Sequence, residues 1–228
     1  LIQKDTVGEL FGALQEAFSI DANPKRAAAM SSYMRDQFQF YGIPSPKRKE
    51  IVKLVFENYK YDRQEFISLA KLLWAHPLRE NQYVLFDLGY KWVKKMDISL
   101  IPFFEKLLVQ KSWWDTVDGI GPNFIGKILL NHCSAEERKK YAFNWNKSSN
   151  IWNIRTSIIF QLKYKDKLDF DLACTMILNH IDSKEFFIQK ASGWILREYA
   201  KTHMTKVKIF VEGHALSNLT KREALKHA

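Results

Sequence analysis

At 228 residues, with 46% hydrophobic side chains, the chain is long enough to bury a sizeable core, and two cysteines are too few for a disulfide-stapled scaffold. Lys and Arg number 35 against 25 Asp and Glu, and the resulting +10 favours a polyanionic partner, nucleic acid before membrane. No apolar run approaches the roughly 18 residues of a membrane span, the six histidines form no HExxH or HxH pattern, and Cys133 and Cys174 lack metal-ligand spacing, so no metal or other cofactor is expected.

Apolar residues recur at intervals of three and four almost throughout, which predicts an all-α chain of about a dozen helices. Leu10, Phe11, Leu14 and Phe18 form the first stripe, and Ile51, Leu54, Val55 and Tyr59 another. Helix starts fall near Pro77, Ser112, Ser149, Ser183 and Ser217, at intervals of 35, 37, 34 and 34 residues. Serine is a favoured N-cap because its hydroxyl accepts a bond from an unpaired first-turn amide. Such regular spacing, with about two helices in each interval, predicts a curved superhelical solenoid of HEAT-like antiparallel helix pairs. Nothing resembling a linker divides the chain, so residues 1–228 are expected to form one domain. The N-terminus lacks the features of a signal peptide, and the expected location is cytoplasmic and reducing.

The stretch SWWDTVDGIGPNFIGKIL, residues 112–129, admits three readings. Gly119-Ile120-Gly121 could form a helix-hairpin-helix turn whose amides approach a phosphate, although an aspartate immediately before those amides would repel it. Trp114 and Asp118, four residues apart, share a helix face to within about 40° and could present a carboxylate to a substrate. Trp114 could also be core and Asp118 a helix-end or salt-bridge residue. Trp113 points about 100° away from its neighbour and reads as core. Pro122 has no N–H to give the carbonyl of Asp118, so the helix should kink or stop, with a second starting near Pro122. Further on, Arg155 and Lys163 share a helix face at a spacing of eight, with Lys165 and Lys167 following. They could line a phosphate track or form a solvated face. Trp194 follows Phe187 by seven residues, which suits a core stripe as well as a ligand contact.

SYMRDQFQFYGIPSPKRKE, KSWWDTVD, NIWNIRTSIIFQLKYKDKLD and SKEFFIQKASGWILREYAKT together resemble the AlkD family of DNA alkylation-repair glycosylases, from about residue 8 to the C-terminus. The resemblance implies HEAT-like repeats and cleavage of the N-glycosidic bond of N3- and N7-alkylated purines in duplex DNA, with no base flipped into a pocket. It implies Asp118 as the catalytic aspartate, with Trp114, Arg155 and Trp194 completing the site. Arg155 would hold the flanking phosphate. Tyr33 and Lys163 match DNA-contacting positions, and the basic neighbours Lys47, Arg48 and Lys165 join them as expected DNA contacts. Counted from the serine starts, Trp194 lies about 140° from the phase of Arg155, so the resemblance alone places it in the site. The expectation is a monofunctional hydrolase that works as a monomer on DNA containing cationic alkylpurines. Two rivals remain: a non-catalytic nucleic-acid- or protein-binding scaffold, and a helix-hairpin-helix glycosylase.

Overall fold

In the computed structural model, which describes residues 6–226, thirteen α-helices follow one another, and the described residues hold no strand beyond an isolated bridge between Gln39 and Leu78. The chain divides into two compact units, one up to Trp92 and the other from Val93 onward. No helix among the described residues is long and apolar enough to cross a membrane.

The first unit holds α1 (Thr6–Ile20), α2 (Pro24–Tyr33), α3 (Ser45–Val55), α4 (Arg63–Ala75) and α5 (Glu80–Trp92). Helix α1 packs on α3 and α4, and both of these pack on α5. The first stripe holds at Leu14 and Phe18, which are fully buried, whereas Leu10 and Phe11 are half-buried. The second stripe needs correction. Leu54 is 65% exposed, Tyr59 lies beyond the helix, and the buried face of α3 runs through Arg48, Ile51 and Val52. Helix α4 opens with a capping box, in which Asp62 accepts from the amide of Glu65 and Glu65 accepts from that of Asp62.

The connection from α2 to α3 is tied down by one carboxylate. Glu80, fully buried, accepts from the amides of Tyr41 (3.0 Å), Gly42 (2.8 Å) and Ile43 (3.1 Å). Three amide donors compensate a buried negative charge that would otherwise be costly. Gly42 is obligatory here: its φ is +86°, and a Cβ would lie 2.2 Å from the carbonyl oxygen of Asn23.

The second unit holds α6 (Ile101–Leu108), α7 (Trp114–Ile120), α8 (Gly126–His132), α9 (Ala135–Asn146), α10 (Ile151–Ile159), α11 (Phe170–Leu178), α12 (Phe186–Gly213) and α13 (Asn218–Ala224). Helix α10 is its centre, packed against α7, α9, α11 and α12. It is buried nearly all round, from Trp152 through Ile154 to Ile159. Helix α12 bends where His203 leaves helical geometry at φ −136°, ψ 49°. The ring of Tyr199 is sandwiched there between Phe170 (4.2 Å) and His203 (4.4 Å).

The expected starts survive with different caps. Helices α5, α7, α10, α12 and α13 begin one to three residues after Pro77, Ser112, Ser149, Ser183 and Ser217. Only Ser217 serves as the cap, accepting from the amide of Thr220. Asn150 caps α10, and Ser112 instead donates to the carbonyl of Leu108. At Pro77 the ring removes a donor, and the helix waits for Glu80.

Candidate active site

Asp118 sits one turn into α7, and the break expected after it takes an unusual form. The helix neither stops nor restarts. It passes through a π turn, Gly121–Ile125, directly into α8. Gly121 keeps helical angles (φ −53°, ψ −67°), so the Gly119-Ile120-Gly121 hairpin does not exist. The extra residue of the π turn absorbs the missing N–H of Pro122 without ending the helix. The amide of Asn123 donates to the carbonyls of Asp118 (3.3 Å) and Gly119 (3.1 Å).

The carboxylate of Asp118 faces α10. Arg155 grips it with one edge of the guanidinium, Nε to Oδ1 at 2.7 Å and Nη2 to Oδ2 at 2.8 Å. The arginine side chain is 5% exposed and that of the aspartate 16%. The remaining edge of Arg155, through Nη1, donates to the carbonyl of Phe187 at the start of α12 (2.5 Å). One buried cation therefore ties α7, α10 and α12 together. Burial pushes the Asp118 carboxyl above the usual aspartate range, the hydrogen bonds and charge of Arg155 draw it back down, and Asp115 adds a push upward.

This geometry revises the expectation for Arg155. Its donors are spent on Asp118 and on a main-chain carbonyl, so in this state it braces the carboxylate and holds no phosphate. Lys163 does not share its helix face either. Helix α10 ends at Ile159, and Lys163 and Lys165 stand exposed in the connection that follows, with Lys165 in the left-handed region at φ 55°. That connection is fixed by hydrogen bonds, a buried one from Tyr164 Oη to the carbonyl of Gly126 (2.8 Å) and part-buried ones between Gln161 and the backbone of Asp169.

Trp114 is the first residue of α7, one turn before Asp118, and is half-buried. Trp194, also half-buried, lies on α12 two turns after Phe187. Its awkward phase has a simple origin. Helix α12 begins at Phe186, later than Ser183, and counted from the true starts Arg155 and Trp194 differ by about 40°.

In the first unit, Tyr33 ends α2 and is 71% exposed. Lys47 is half-exposed and within 3.6 Å of Asp21 and 3.5 Å of Glu50. Arg48 departs from its expected role. It is 8% exposed, bound to Asp87 at 2.8 Å and stacked over Tyr83, so its charge is satisfied internally and is not offered to a phosphate.

The sequence reading missed an aromatic cluster. Trp113, Trp152 and Phe187 pack mutually, with ring centroids 5.7, 5.2 and 5.0 Å apart, and the Arg155 guanidinium lies 6.0 Å from the Phe187 ring. Trp113 is extended at the N-cap (φ −157°, ψ 167°), so helical phase says nothing of where its ring points.

The model of a family described as DNA alkylation repair enzyme matches residues 14–228. Among solved structures, a predicted DNA alkylation repair enzyme from Enterococcus faecalis is 33% identical, with 90% of this chain and 96% of that one covered and a TM-score of 0.83. Two structures from Streptococcus mutans are each 15% identical: smu.31, TM-score 0.59 with 80% and 92% covered, and AlkD2, TM-score 0.60 with 81% and 90% covered. At that identity these two speak for the fold alone. No curated protein matched.

Proposed function

Because the chain belongs to the DNA alkylation repair enzyme family, we propose that it is a DNA glycosylase, hydrolysing the N-glycosidic bond of N3- and N7-alkylated purines in duplex DNA. The observation that carries this reading is a nearly buried carboxylate, Asp118, held in one orientation by two bonds from Arg155. Alkylation at N7 of guanine or N3 of adenine gives the base a positive charge, and it leaves with the electron pair of the glycosidic bond without needing a proton. Positive charge then develops on the deoxyribose, as in other glycoside cleavages. A fixed anion beside the sugar stabilises that charge, and it orients the water whose oxygen bonds to the anomeric carbon as one of its protons is released to solvent. Arg155 contributes by opposing the upward push of burial, which favours the anionic form that this role needs.

Trp114 and Trp194 would offer electron-rich faces to the cationic nucleotide. The base need not enter a pocket, because selectivity comes from the lability of the damaged nucleotide, and bulky adducts would be accepted. No lysine nucleophile is required, which makes the enzyme a monofunctional hydrolase; a helical-repeat protein of this kind would act on DNA as a monomer.

The test is release of N7-methylguanine and N3-methyladenine from methylated duplex DNA by the native protein and by Asp118→Asn, with DNA binding measured for both. Release that disappears in the variant while binding persists is the expected result. Binding without release by the native protein would leave a DNA-binding scaffold.

A further inference from the structure

The π turn that follows Asp118 is built into the same packing as its carboxylate. Gly126, which closes the turn by donating to the carbonyl of Gly121, lies so close to α10 that a Cβ would stand 2.1 Å from the carbonyl oxygen of Phe160. At Gly121 a Cβ would rest 3.5 Å from the methyl of Thr156, the residue next to Arg155. The turn is therefore pressed on the helix that carries Arg155, and its register sets where the α7 main chain stands relative to that arginine. Pro122 deprives the Asp118 carbonyl of its ordinary helical donor. Asn123 is the residue whose side chain answers, spanning the carbonyls of Asp118 and Gly119. Asp118 is thus held at both ends, its carboxylate by Arg155 and its main-chain carbonyl by Asn123.

We infer that Asn123 is a positioning residue for Asp118, its amide fixing the π-turn register so that the carboxylate meets Arg155 squarely. The inference rests on the glycosylase reading only for its effect on rate. Geometric fit of this kind matters because a displacement of about 1 Å at a reacting group costs up to about a hundredfold in rate. The charged groups that face the Asp118 carboxylate are Arg155 from α10 and Asp115 from its own helix. If the carboxylate slips from the guanidinium, burial acts with less opposition, and its titration moves to higher pH.

The experiment compares the native protein with Asn123→Ala and Asn123→Asp. The second is isosteric but replaces the donor with an acceptor facing two carbonyls. Three quantities are read: the single-turnover rate of N7-methylguanine release, affinity for the same duplex, and the carbon-13 titration of the Asp118 carboxyl. Expected are a fall of about tenfold in rate for both variants, unchanged affinity, and an upward move of the carboxyl titration and of the acid limb of the rate profile. Thermal unfolding midpoints confirm that both variants are folded. Native rate and native titration in Asn123→Asp would overturn the inference, since shape without donors would then suffice. Should the native protein release no base, the glycosylase reading fails alone. The titration of Asn123→Ala, which introduces no charge of its own, still decides, an upward move upholding the positioning role and an unmoved one removing it.

Discussion

Arg155 spends all three of its guanidinium nitrogens on one carboxylate and one carbonyl, and lysine could not replace it. A lysine ammonium is a point charge without the planar fork, so Arg155→Lys should keep partial neutralisation and lose orientation. Arg155→Met goes further by leaving Asp118 buried and uncompensated. Removing one partner of a buried pair costs about 3–5 kcal/mol, and the loss should depend on pH with a definite sign. Burial already raises the Asp118 carboxyl above its unfolded value, and without Arg155 it rises further. Stability contributed by a raised carboxyl is present at low pH and is lost as pH climbs through the folded-state value. Unfolding midpoints of Arg155→Met should therefore improve on mild acidification relative to the native protein. An equal deficit at every pH would show that Asp118 stays neutral or hydrated in the variant.

At this scale, Asp118 and Arg155 were legible through the quoted motifs, whereas their mutual contact was not, because 37 residues separate them in the chain. The part played by Phe187 was out of reach for another reason. It offers a main-chain carbonyl, and a carbonyl has no side-chain signature. Asn123 had a signal: a proline four residues after Asp118 removes a donor, and an amide one residue later stands ready to replace it.

Among the elements, α12 and α13 meet with no room to spare. A Cβ on Gly193 would fall 2.4 Å from Cβ of Glu223 and 2.9 Å from the carbonyl oxygen of Thr220. Glycine-to-alanine exchanges inside a helix ordinarily gain up to about 1 kcal/mol. Here overpacking of about 1–3 kcal/mol opposes the gain, so Gly193→Ala should lower the urea midpoint. The same contact is closed by Glu223, which binds Lys190 and Arg197 at 2.8 Å each. Its carboxyl is pulled down to about 2, chiefly by the Lys190 hydrogen bond and against the push of burial. A depressed carboxyl lends stability above its ordinary value of 4.5 and withdraws it as pH falls towards 2. Glu223→Gln should accordingly flatten the acid side of the stability profile between those limits. An unchanged acid transition would place the sensitivity elsewhere.

The spacing of the starts, which revealed the helix pairs, reflects the length of helix needed to cover a neighbour, so it survived even where the expected serine was not the cap. What failed was the stop and fresh start at Pro122. Sequence logic for proline counts α-helical bonds, and the π register supplies an alternative that the close packing of Gly126 on Phe160 accommodates.

For the whole molecule, a net charge of +10 states that a polyanion will be attracted without saying which cations meet it. The structure separates two populations that composition merges. Lys163 and Lys165 are exposed and form no ion pair among the described residues. Arg48 is as basic by count yet is spent on Asp87 inside the first unit. Their removal should therefore register on different instruments. Each phosphate contact that a protein makes releases condensed counterions, and its loss lowers the salt slope of binding by about one. Replacing both lysines by alanine should weaken duplex binding at low salt and flatten the plot of log affinity against log salt by up to about two. Base release at saturating DNA should stay near the native rate, because Asp118 and Arg155 are untouched. Arg48→Ala should leave the salt slope alone and lower the unfolding midpoint, since it strands Asp87 without its partner. The reverse pattern, a flattened slope from Arg48→Ala and none from the lysines, would mean that the Arg48–Asp87 pair opens to receive the duplex and that the exposed lysines face only water.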